Sequence, residues 1–315
     1  MSTIPSTPDS YPSHTVVGTA PEVPGGTAVI LLNRSSRLLR RDLLADLVDR
    51  GFREVVSVET SERSYTVESL SREFPQARFI LTEGSVTIGE AINLANHYVH
   101  SEYALVLWST MGVPQNLEKG VELLQNRPAR VCVAPLLRGE RGEALPTVQA
   151  PALHRKALRI IPIPLRGDGG FTIFPYDYVA VHHVERFRRV GGYDPRIPHP
   201  FWQKLDFGFR IHLWGGDIPV APTMRISYKS MPEPEDQTIN ESYARFYAKS
   251  LAVKLTSQGA AIPPLAALGF ALRSGIGFSA AIRLFQDAKV WVAAHQHSFR
   301  VDPRDLVERW SVDHE

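Results

Sequence analysis

The sequence has little of what marks a secreted, membrane-spanning or nucleic-acid-binding protein. Its 315 residues include one cysteine, Cys132, whose apolar neighbours indicate a small core hydrophobe in a reducing compartment rather than a reactive thiol. No stretch approaches the roughly 18 apolar residues of a spanning helix, and the N-terminus lacks the basic and apolar regions of a secretory signal. The formal net charge of +2 gives no strong overall field for nucleic acid or for an anionic membrane. We therefore expect a cytoplasmic protein with no nucleic-acid partner and no transmembrane segment.

Two common nucleotide-binding motifs are also missing. No glycine-rich dinucleotide fingerprint follows the first predicted strand, which leads into Asn33 and Arg34, and no phosphate-binding P-loop occurs. The fourth predicted strand ends at Leu107 and leads into an uncharged Trp-Ser-Thr segment at 108–110. Because ligands of open α/β sheets bind at the carboxyl ends of strands, these two loops are candidates for a ligand site.

Short apolar runs alternate with amphipathic segments over the first half of the chain. Strands are predicted at 28–32, 54–58, 77–81, 103–107 and 130–134, with helices between them at 38–50, 65–74, 87–99 and 116–124. This alternation predicts right-handed βαβ units and an α/β fold with a mainly parallel sheet flanked by helices. Further along, we predict an extended run at 171–181, helices at 184–190 and 202–214, and an extended segment at 218–228.

Composition suggests three regions. Residues 1–26 are rich in Ser, Thr and Pro and bury too little apolar surface to become ordered, so we predict a disordered tail. Residues 27–235 are predicted to form the α/β domain, and 236–315 a C-terminal helical extension. The apolar stretch 260–272 fits either a core segment or a surface-binding helix, and we favour the core.

Four segments resemble, in order and spacing, the motifs of the family 2 glycosyltransferases. Residues 55–61 are similar to a second-strand motif whose aspartate contacts the nucleotide base, and 89–96 to a helix rich in small residues. Residues 190–195 are similar to a Gly-Gly-Phe-Asp-Glu turn, and 203–210 to the helix start Glu-Asp-x-Asp-x-x-x-Arg. The resemblance covers roughly 28–230. It implies a GT-A-like fold and a nucleotide-sugar donor as substrate, bound by Asn33, Arg34, Glu59, Trp108, Ser109, Thr110, Asp194 and Arg210.

Three family positions carry the wrong chemistry in this chain. The family places a pair of aspartates, which hold a metal on the diphosphate, where this chain has Trp108 and Thr110. Its catalytic aspartate corresponds to Lys204, and a histidine often found near the metal corresponds to Tyr228. Indole and hydroxyl groups do not replace the carboxylates that Mg²⁺ and Mn²⁺ prefer, and an ammonium is a poor general base. The resemblance therefore implies a degenerate metal motif, no metal cofactor, and catalysis that stays open.

The first hypothesis is a metal-independent glycosyltransferase that acts on an unknown sugar or glycan acceptor. Lysines and arginines can neutralise a diphosphate without a metal, and the candidates for this task are Lys204, Arg210, Arg225 and Lys229. The base would be Asp168, in a glycine-flanked loop, or one of His182 and His183. Asp168, Lys204 and Asp206 are the catalytic candidates under this hypothesis.

The second hypothesis is a catalytically inactive, glycosyltransferase-like binding or scaffold protein whose C-terminal helices dock a protein partner. Trp108 would then fill the vacated metal site, although an indole can also stack on a ligand ring. Asp206 and Arg210 also fit a plain helical ion pair, Asp194 a turn residue, and Glu59 a cap. Another nucleotide-dependent transferase on the same sheet is a weaker third hypothesis.

Overall fold

A computed structural model describes residues 11–19, 26–34, 37–60, 64–154, 157–165, 169–274 and 277–310. Its strands are β1 (His14–Val17), β2 (Thr27–Leu32), β3 (Val55–Thr60), β4 (Ala77–Thr82), β5 (Tyr103–Trp108), β6 (Cys132–Arg138), β7 (Gln149–His154), β8 (Ala157–Pro162), β9 (Gly170–Phe171), β10 (Val181–His183), β11 (Pro219–Ser227), β12 (Lys254–Thr256) and β13 (Gly259–Ala261). Its helices are α1 (Arg37–Asp49), α2 (Ser64–Glu73), α3 (Ile88–Tyr98), α4 (Leu117–Gln125), α5 (Val184–Arg189), α6 (Pro200–Leu213), α7 (Glu241–Phe246), α8 (Ala266–Ser274), α9 (Phe278–His295) and α10 (Pro303–Trp310).

Most of the strands belong to one sheet, in the order β1-β4-β3-β2-β5-β10-β6-β11-β9. Parallel pairs join β4 to β3, β3 to β2, β2 to β5, and β6 to β11. Strand β10 lies antiparallel between β5 and β6, so β2 to β6 and β11 all run in the same direction. The predicted α/β architecture with a mainly parallel sheet is therefore confirmed.

The central strands and helix α3 form where the sequence pattern places them. Every residue of β5 is buried, as expected for a strand of a parallel sheet that is covered on both faces. Helix α3 begins with a capping box, in which the Thr87 side chain accepts from the Glu90 amide and the Glu90 carboxylate accepts from the Thr87 amide. The side chain of Cys132 is buried, as predicted for a core residue, and burial raises the pKa of its thiol.

Two predicted segments differ from the structure. The predicted tail 1–26 contains a strand, since β1 at 14–17 pairs antiparallel with β4; the β-branched residues Thr15, Val16 and Val17 supply the strand propensity that composition alone concealed. Residues 1–10 and 20–25 of that tail lie outside the described residues. The predicted extended run 171–181 is interrupted by a 3₁₀ turn at Tyr176–Tyr178, which changes the chain direction before β10 begins.

The apolar core has two main clusters that meet at helix α6. One surrounds the sheet and the other packs α6 against the C-terminal helices. Phe207 of α6 belongs to the first cluster and Phe209 to the second, so α6 is buried on both sides. Gly208 allows this close packing, because a Cβ there would overlap the carbonyl oxygen of Ile173. The segment after residue 235 thus packs into the α/β domain.

The C-terminal segment is mostly helical, as predicted, with a β12–β13 hairpin and a π-helical turn at Tyr247–Leu251. The preference for a buried 260–272 segment was wrong in part. Phe270 is buried, but Leu265, Leu268 and Leu272 are exposed, because α8 presents only one of its sides to α9. Within the described residues, no helix combines the length and apolar character needed to traverse a bilayer.

Candidate functional site

The pairing of β2 with β5 brings the two predicted ligand loops together. Leu32 lies opposite Trp108 at the carboxyl ends of these parallel strands, so the residues that follow each strand are neighbours. The hydroxyl of Ser109 donates to Oδ1 of Asn33 over 3.2 Å, and the Arg34 amide donates to the same hydroxyl over 3.3 Å. Thr110 is buried beside them. The structure therefore places Asn33, Arg34 and 108–110 at one edge of the sheet, the usual ligand edge of such folds.

An ion pair that the sequence did not predict lies at this edge. The Arg34 guanidinium donates to both carboxylate oxygens of Asp177, over 2.9 and 2.5 Å. Tyr228 donates its hydroxyl to the same carboxylate over 2.6 Å, and the Trp108 indole N–H donates to the Asp177 carbonyl oxygen over 2.9 Å. The Arg34 guanidinium carbon also lies 3.8 Å from the centre of the Trp108 ring, within range of a cation–π interaction. We call Arg34, Trp108, Asp177 and Tyr228 the Arg34–Asp177 centre.

The backbone at Asp177 is held in an unusual conformation. Asp177 and Tyr178 both have positive φ, 52° and 66°, in the left-handed region that disfavours most side chains. The Tyr178 hydroxyl donates to Oε1 of the buried Gln203 over 2.9 Å, and Gln203 also accepts from the Gly89 amide over 3.0 Å. Such backbone strain persists where surrounding contacts impose it and clusters at functional sites. The only sequence signal for Asp177 is the Pro-Tyr-Asp-Tyr turn composition of 175–178.

Burial and paired charge shape the acid–base behaviour of the centre. Burial acts against the charged form of Arg34, but the hydrogen bond and charge of Asp177 outweigh it and raise the pKa of the guanidinium. Burial, together with the Asp177 carboxylate, raises the pKa of Tyr228 far above its usual value. Tyr176 has a pKa raised to about 12 by burial and by the carboxylates of Glu235 and Asp177. Both phenols therefore stay protonated, and that of Tyr228 acts as a hydrogen-bond donor to Asp177.

Lys204, predicted to be catalytic, is enclosed beside the centre. Its side chain is buried and its ammonium forms an ion pair with Glu235. Three aromatic rings surround the Nζ atom: Phe174 at 5.5 Å, Tyr176 at 5.8 Å and Tyr178 at 5.2 Å from their centroids. The residue that the sequence resemblance aligns with the catalytic base is therefore a cation paired with a neighbouring carboxylate.

Asp194, Asp206 and Arg210 belong to a separate buried ion cluster. Lys249 lies 2.7 Å from Oδ2 of Asp194 and 3.0 Å from Oδ1 of Asp206, and Arg210 donates to Asp206 over 2.7 Å. Burial favours the neutral acid at Asp194, but Lys249 and Arg245 outweigh it and hold the pKa of the carboxyl far below its usual range. Lys249 and Arg245 come from the C-terminal segment, so these contacts join the predicted substrate and catalytic residues to that segment.

Glu59 also points into a protein interior. Its buried carboxylate pairs with Arg40 of α1 and accepts from the Ser57 hydroxyl over 3.1 Å. Glu59 therefore lies near the end of β3, as its motif predicts. Its carboxylate, predicted to bind a nucleotide, is instead paired with Arg40 of α1.

The other predicted groups do not converge on one point. Lys229 lies 3.5 Å from Asp46, Arg225 is exposed on β11, and Arg210 is in the buried cluster. His182 lies in the core, where burial lowers its pKa to about 3. His183 accepts from the Arg186 amide and pairs in β10 with Tyr103, at the amino end of β5. These positions do not support a site in which the four cations neutralise one diphosphate, and neither His182 nor His183 lies beside Trp108.

Asp168 lies outside the described residues. The flanking residues Leu165 and Gly169 line a pocket of about 540 Å³ together with residues of α4 and the start of β11. This pocket is separate from the Arg34–Asp177 centre, with which it shares no lining residue.

The donor set at the Arg34–Asp177 centre does not fit a divalent cation. Trp108 and Tyr228, which the sequence resemblance aligns with metal positions, present N–H and O–H donors to Asp177, whereas a hard cation needs oxygen acceptors. The single carboxylate of the centre already accepts from Arg34 and Tyr228. In the part of the chain that the structure describes, no cluster of three or more His, Cys, Asp or Glu side chains is arranged to hold a metal.

Comparison with known proteins identifies the fold class. No protein-family model matches the chain, and no curated protein matches it in sequence. The crystal structure of GalNAc-T7 with UDP, GalNAc and Mn²⁺ superposes with a TM-score of 0.62 at 12% identity, over 91% of this chain and 57% of that chain. The chain thus spans little more than half the length of that protein.

Two further structures match with lower TM-scores. S. aureus TarS 1-349 in complex with UDP-GlcNAc matches at 13% identity and a TM-score of 0.48, over 86% of this chain and 74% of that chain. The mannosyltransferase PcManGT from Pyrobaculum calidifontis, with GDP-Man and Mn²⁺, matches at 14% identity and a TM-score of 0.48, over 94% and 82%. The superposition on GalNAc-T7 shows a GT-A-type glycosyltransferase fold, as the sequence resemblance implied; fold alone does not assign a reaction.

Proposed function

We propose that this chain is a catalytically inactive, glycosyltransferase-like binding protein that uses the GT-A fold without metal-dependent sugar transfer. The observation that carries the proposal is the Arg34–Asp177 ion pair, which lies between the side chains at two of the family's metal positions. Trp108 and Tyr228 both donate to Asp177. These N–H and O–H groups are hydrogen-bond donors to Asp177 of the same chain. A metal-dependent relative would need oxygen ligands for a cation at the same place.

The absence of an available base among the described candidates supports the same conclusion. Asp177, Glu59, Asp206 and Asp194 each pair with a cation of the same chain, and Lys204 pairs with Glu235. A carboxylate held by a neighbouring cation is a weaker proton acceptor than a free one. A general base must also reach the acceptor hydroxyl directly or through one water, which a buried ion pair does not allow without opening.

A donor-hydrolysis assay tests this proposal directly. The protein would be incubated with UDP-GlcNAc or GDP-Man, the nucleotide sugars in the TarS and PcManGT structures. Released UDP or GDP would be measured with and without Mn²⁺. We expect no release above a protein-free control in either condition. Release that requires Mn²⁺ would show that a metal site forms despite Trp108 and Tyr228.

One observation favours the metal-independent glycosyltransferase as a second candidate. The Arg34 side chain is 27% exposed, so a diphosphate could take its guanidinium in the bidentate manner that Asp177 uses. Asp177 would then be free to accept the proton of an acceptor hydroxyl as that oxygen bonds to the sugar and the nucleoside diphosphate leaves. Arg34 would replace the predicted cation set and Asp177 would replace Asp168 as base.

Two substitutions separate these candidates. For a metal-independent enzyme, Asp177→Asn should retain UDP binding and abolish metal-free release of UDP, whereas Arg34→Ala should weaken UDP binding. For an inactive protein, neither substitution changes UDP release, because none occurs. The acceptor, a protein partner at the C-terminal helices and the cytoplasmic location remain predictions from the sequence.

A further inference from the structure

Helix α8 has an apolar side that no described part of the chain covers. Leu265, Leu268 and Leu272 are 73%, 41% and 79% exposed. Leu268 and Leu272, four residues apart, lie on one side of the helix. Leu265 directly precedes the helix, and its carbonyl oxygen accepts from the Gly269 amide of the first turn. Phe278, at the start of α9, is 55% exposed. We call these four residues the α8 face.

The opposite side of α8 is packed normally, so the exposure is not a sign of a loose helix. Phe270 is buried, with its ring centre 4.8 Å from that of Tyr247 and 5.7 Å from that of Phe285. A helix of a globular protein usually buries one apolar stripe and exposes a polar side. Here both sides carry large apolar residues, and a cluster of such residues at the surface marks an interaction site.

The charge of the surrounding sequence indicates what the α8 face contacts. From residue 242 to residue 286 the chain contains no aspartate or glutamate; the first acidic residue after Glu241 is Asp287. The same stretch contains five cationic residues, namely Arg245, Lys249, Lys254, Arg273 and Arg283. Arg245 and Lys249 are engaged with Asp194, whereas Arg283 is exposed on α9 and Lys254 is partly exposed. The segment that carries the α8 face is therefore net cationic, and a cationic segment with an exposed apolar side complements an anionic surface.

We propose that the α8 face binds the surface of an anionic phospholipid bilayer. The aliphatic side chains and the Phe278 ring would enter the boundary between headgroups and acyl chains, and nearby cations would contact lipid phosphates. Helix α8 has nine residues, too few to span the roughly 30 Å hydrocarbon core, so the contact is peripheral. A protein partner fits less well, because a segment without acidic residues matches a uniformly negative surface better than it matches a protein surface of mixed charge.

Vesicle sedimentation tests the proposal without any assumption about nucleotide binding or catalysis. The full chain would be mixed with vesicles of phosphatidylcholine alone or of phosphatidylcholine with phosphatidylglycerol, and the sedimented fraction measured. We expect binding to the phosphatidylglycerol vesicles that weakens as salt is raised. The triple variant Leu265→Ser, Leu268→Ser, Leu272→Ser should bind at least about tenfold more weakly, which is about 1.4 kcal/mol.

A matched control removes apolar residues from another exposed site. The double variant Leu153→Ser, Ile161→Ser changes side chains that are 51% and 44% exposed on the β7–β8 hairpin, and it should bind vesicles like the wild type. Arg283→Gln should reduce binding to phosphatidylglycerol vesicles and make the remaining binding less sensitive to salt. Circular dichroism would establish that each variant is folded.

Three outcomes would overturn the proposal. The wild type could fail to sediment with phosphatidylglycerol vesicles, or the folded triple variant could bind them as strongly as the wild type. Light scattering could also show a dimer that the triple variant abolishes while vesicle binding is absent; the α8 face would then be a contact between two copies of this chain.

Discussion

Tyr228 donates its hydroxyl hydrogen to the carboxylate of Asp177 over 2.6 Å, although the two residues lie 51 positions apart in the chain. The Tyr228 hydroxyl and the Arg34 guanidinium donate to the same oxygen, Oδ2 of Asp177. Tyr228 directly follows β11, and Asp177 lies in the turn before β10. The contact therefore joins the segments next to these two strands at the carboxyl edge of the sheet.

Replacement of Asp177 by asparagine should destabilise the protein. The amide side chain would keep an acceptor for Tyr228 but lose the charge that offsets Arg34, which is mostly buried. We expect a loss of about 1–3 kcal/mol in the free energy of unfolding, less than the cost for a fully buried pair because Arg34 is partly exposed to solvent. Urea denaturation would measure it. Tyr228→Phe, which removes one hydrogen bond and no charge, is the matched comparison and should cost about 1 kcal/mol; a larger effect for Tyr228→Phe than for Asp177→Asn would contradict this account.

Divalent metal should add nothing to nucleotide affinity. Trp108, Thr110 and Tyr228 stand where the sequence resemblance implies metal-site residues, and the nearby Asp177 carboxylate already accepts from Arg34 and Tyr228. Calorimetric titration of UDP or GDP with and without Mn²⁺ would measure the affinity. We expect the same nucleotide affinity with and without Mn²⁺, or no heat of binding in either condition. A tenfold gain with Mn²⁺, about 1.4 kcal/mol, would show that the site accepts a metal.

The sequence could predict the sheet far better than the site. The apolar runs of β2 and β5 follow from strand and helix periodicity, and their parallel register brings Asn33 beside Ser109 as a direct consequence. The Arg34–Asp177 pair could not be predicted in this way, because its partners are 143 residues apart and Asp177 depends on a strained turn fixed by Gln203. The motif placed Glu59 near the end of its strand, where the structure has it. The motif could not identify Arg40 as the cation that pairs with this buried carboxylate, because that pairing depends on tertiary packing.

Substitution of Glu59 tests whether it binds a nucleotide or supports the fold. The carboxylate is buried against Arg40 of α1. Glu59→Gln should lower the free energy of unfolding by about 3 kcal/mol, the range found when one partner of a buried pair loses its charge. Any UDP-dependent rise in melting temperature, which reports binding to the native state, should match that of the wild type. A stable Glu59→Gln protein that has lost a UDP response present in the wild type would restore the nucleotide-binding role implied by the family resemblance.

The Asp194 cluster should make the protein lose stability in acid. The pKa of the buried Asp194 carboxyl lies far below its ordinary value of 3.8 in the folded state, because Lys249 and Arg245 outweigh burial. A carboxyl with a lowered folded-state pKa stabilises the native protein above its unfolded pKa. That stabilisation declines as pH falls below about 4, where the unfolded chain takes up the proton first, by up to about 1.4 kcal/mol per pH unit.

Urea denaturation between pH 5 and pH 2 would measure this slope, with Asp194→Asn as the comparison. The variant should be less stable than the wild type near neutral pH, and its stability should depend less steeply on pH in the acid range. The Asp49→Asn variant is a suitable control, because it makes the same chemical change at an exposed position at the end of α1. Equal acid slopes for wild type and Asp194→Asn would place the acid sensitivity elsewhere.

Lys204 should act as a structural cation and not as a ligand for diphosphate. Lys204→Met keeps an unbranched side chain among the rings of Phe174, Tyr176 and Tyr178 but removes the charge that faces Glu235. We expect a loss of about 1–3 kcal/mol, because a mostly buried carboxylate loses its partner. The double variant Lys204→Met, Glu235→Gln should recover much of that loss, since it leaves no unpaired charge, and a double-mutant cycle would give the coupling between the two residues. UDP affinity should be the same in the wild type and in both variants. A folded Lys204→Met protein with at least tenfold weaker UDP binding would show instead that the ammonium leaves Glu235 to hold the nucleotide.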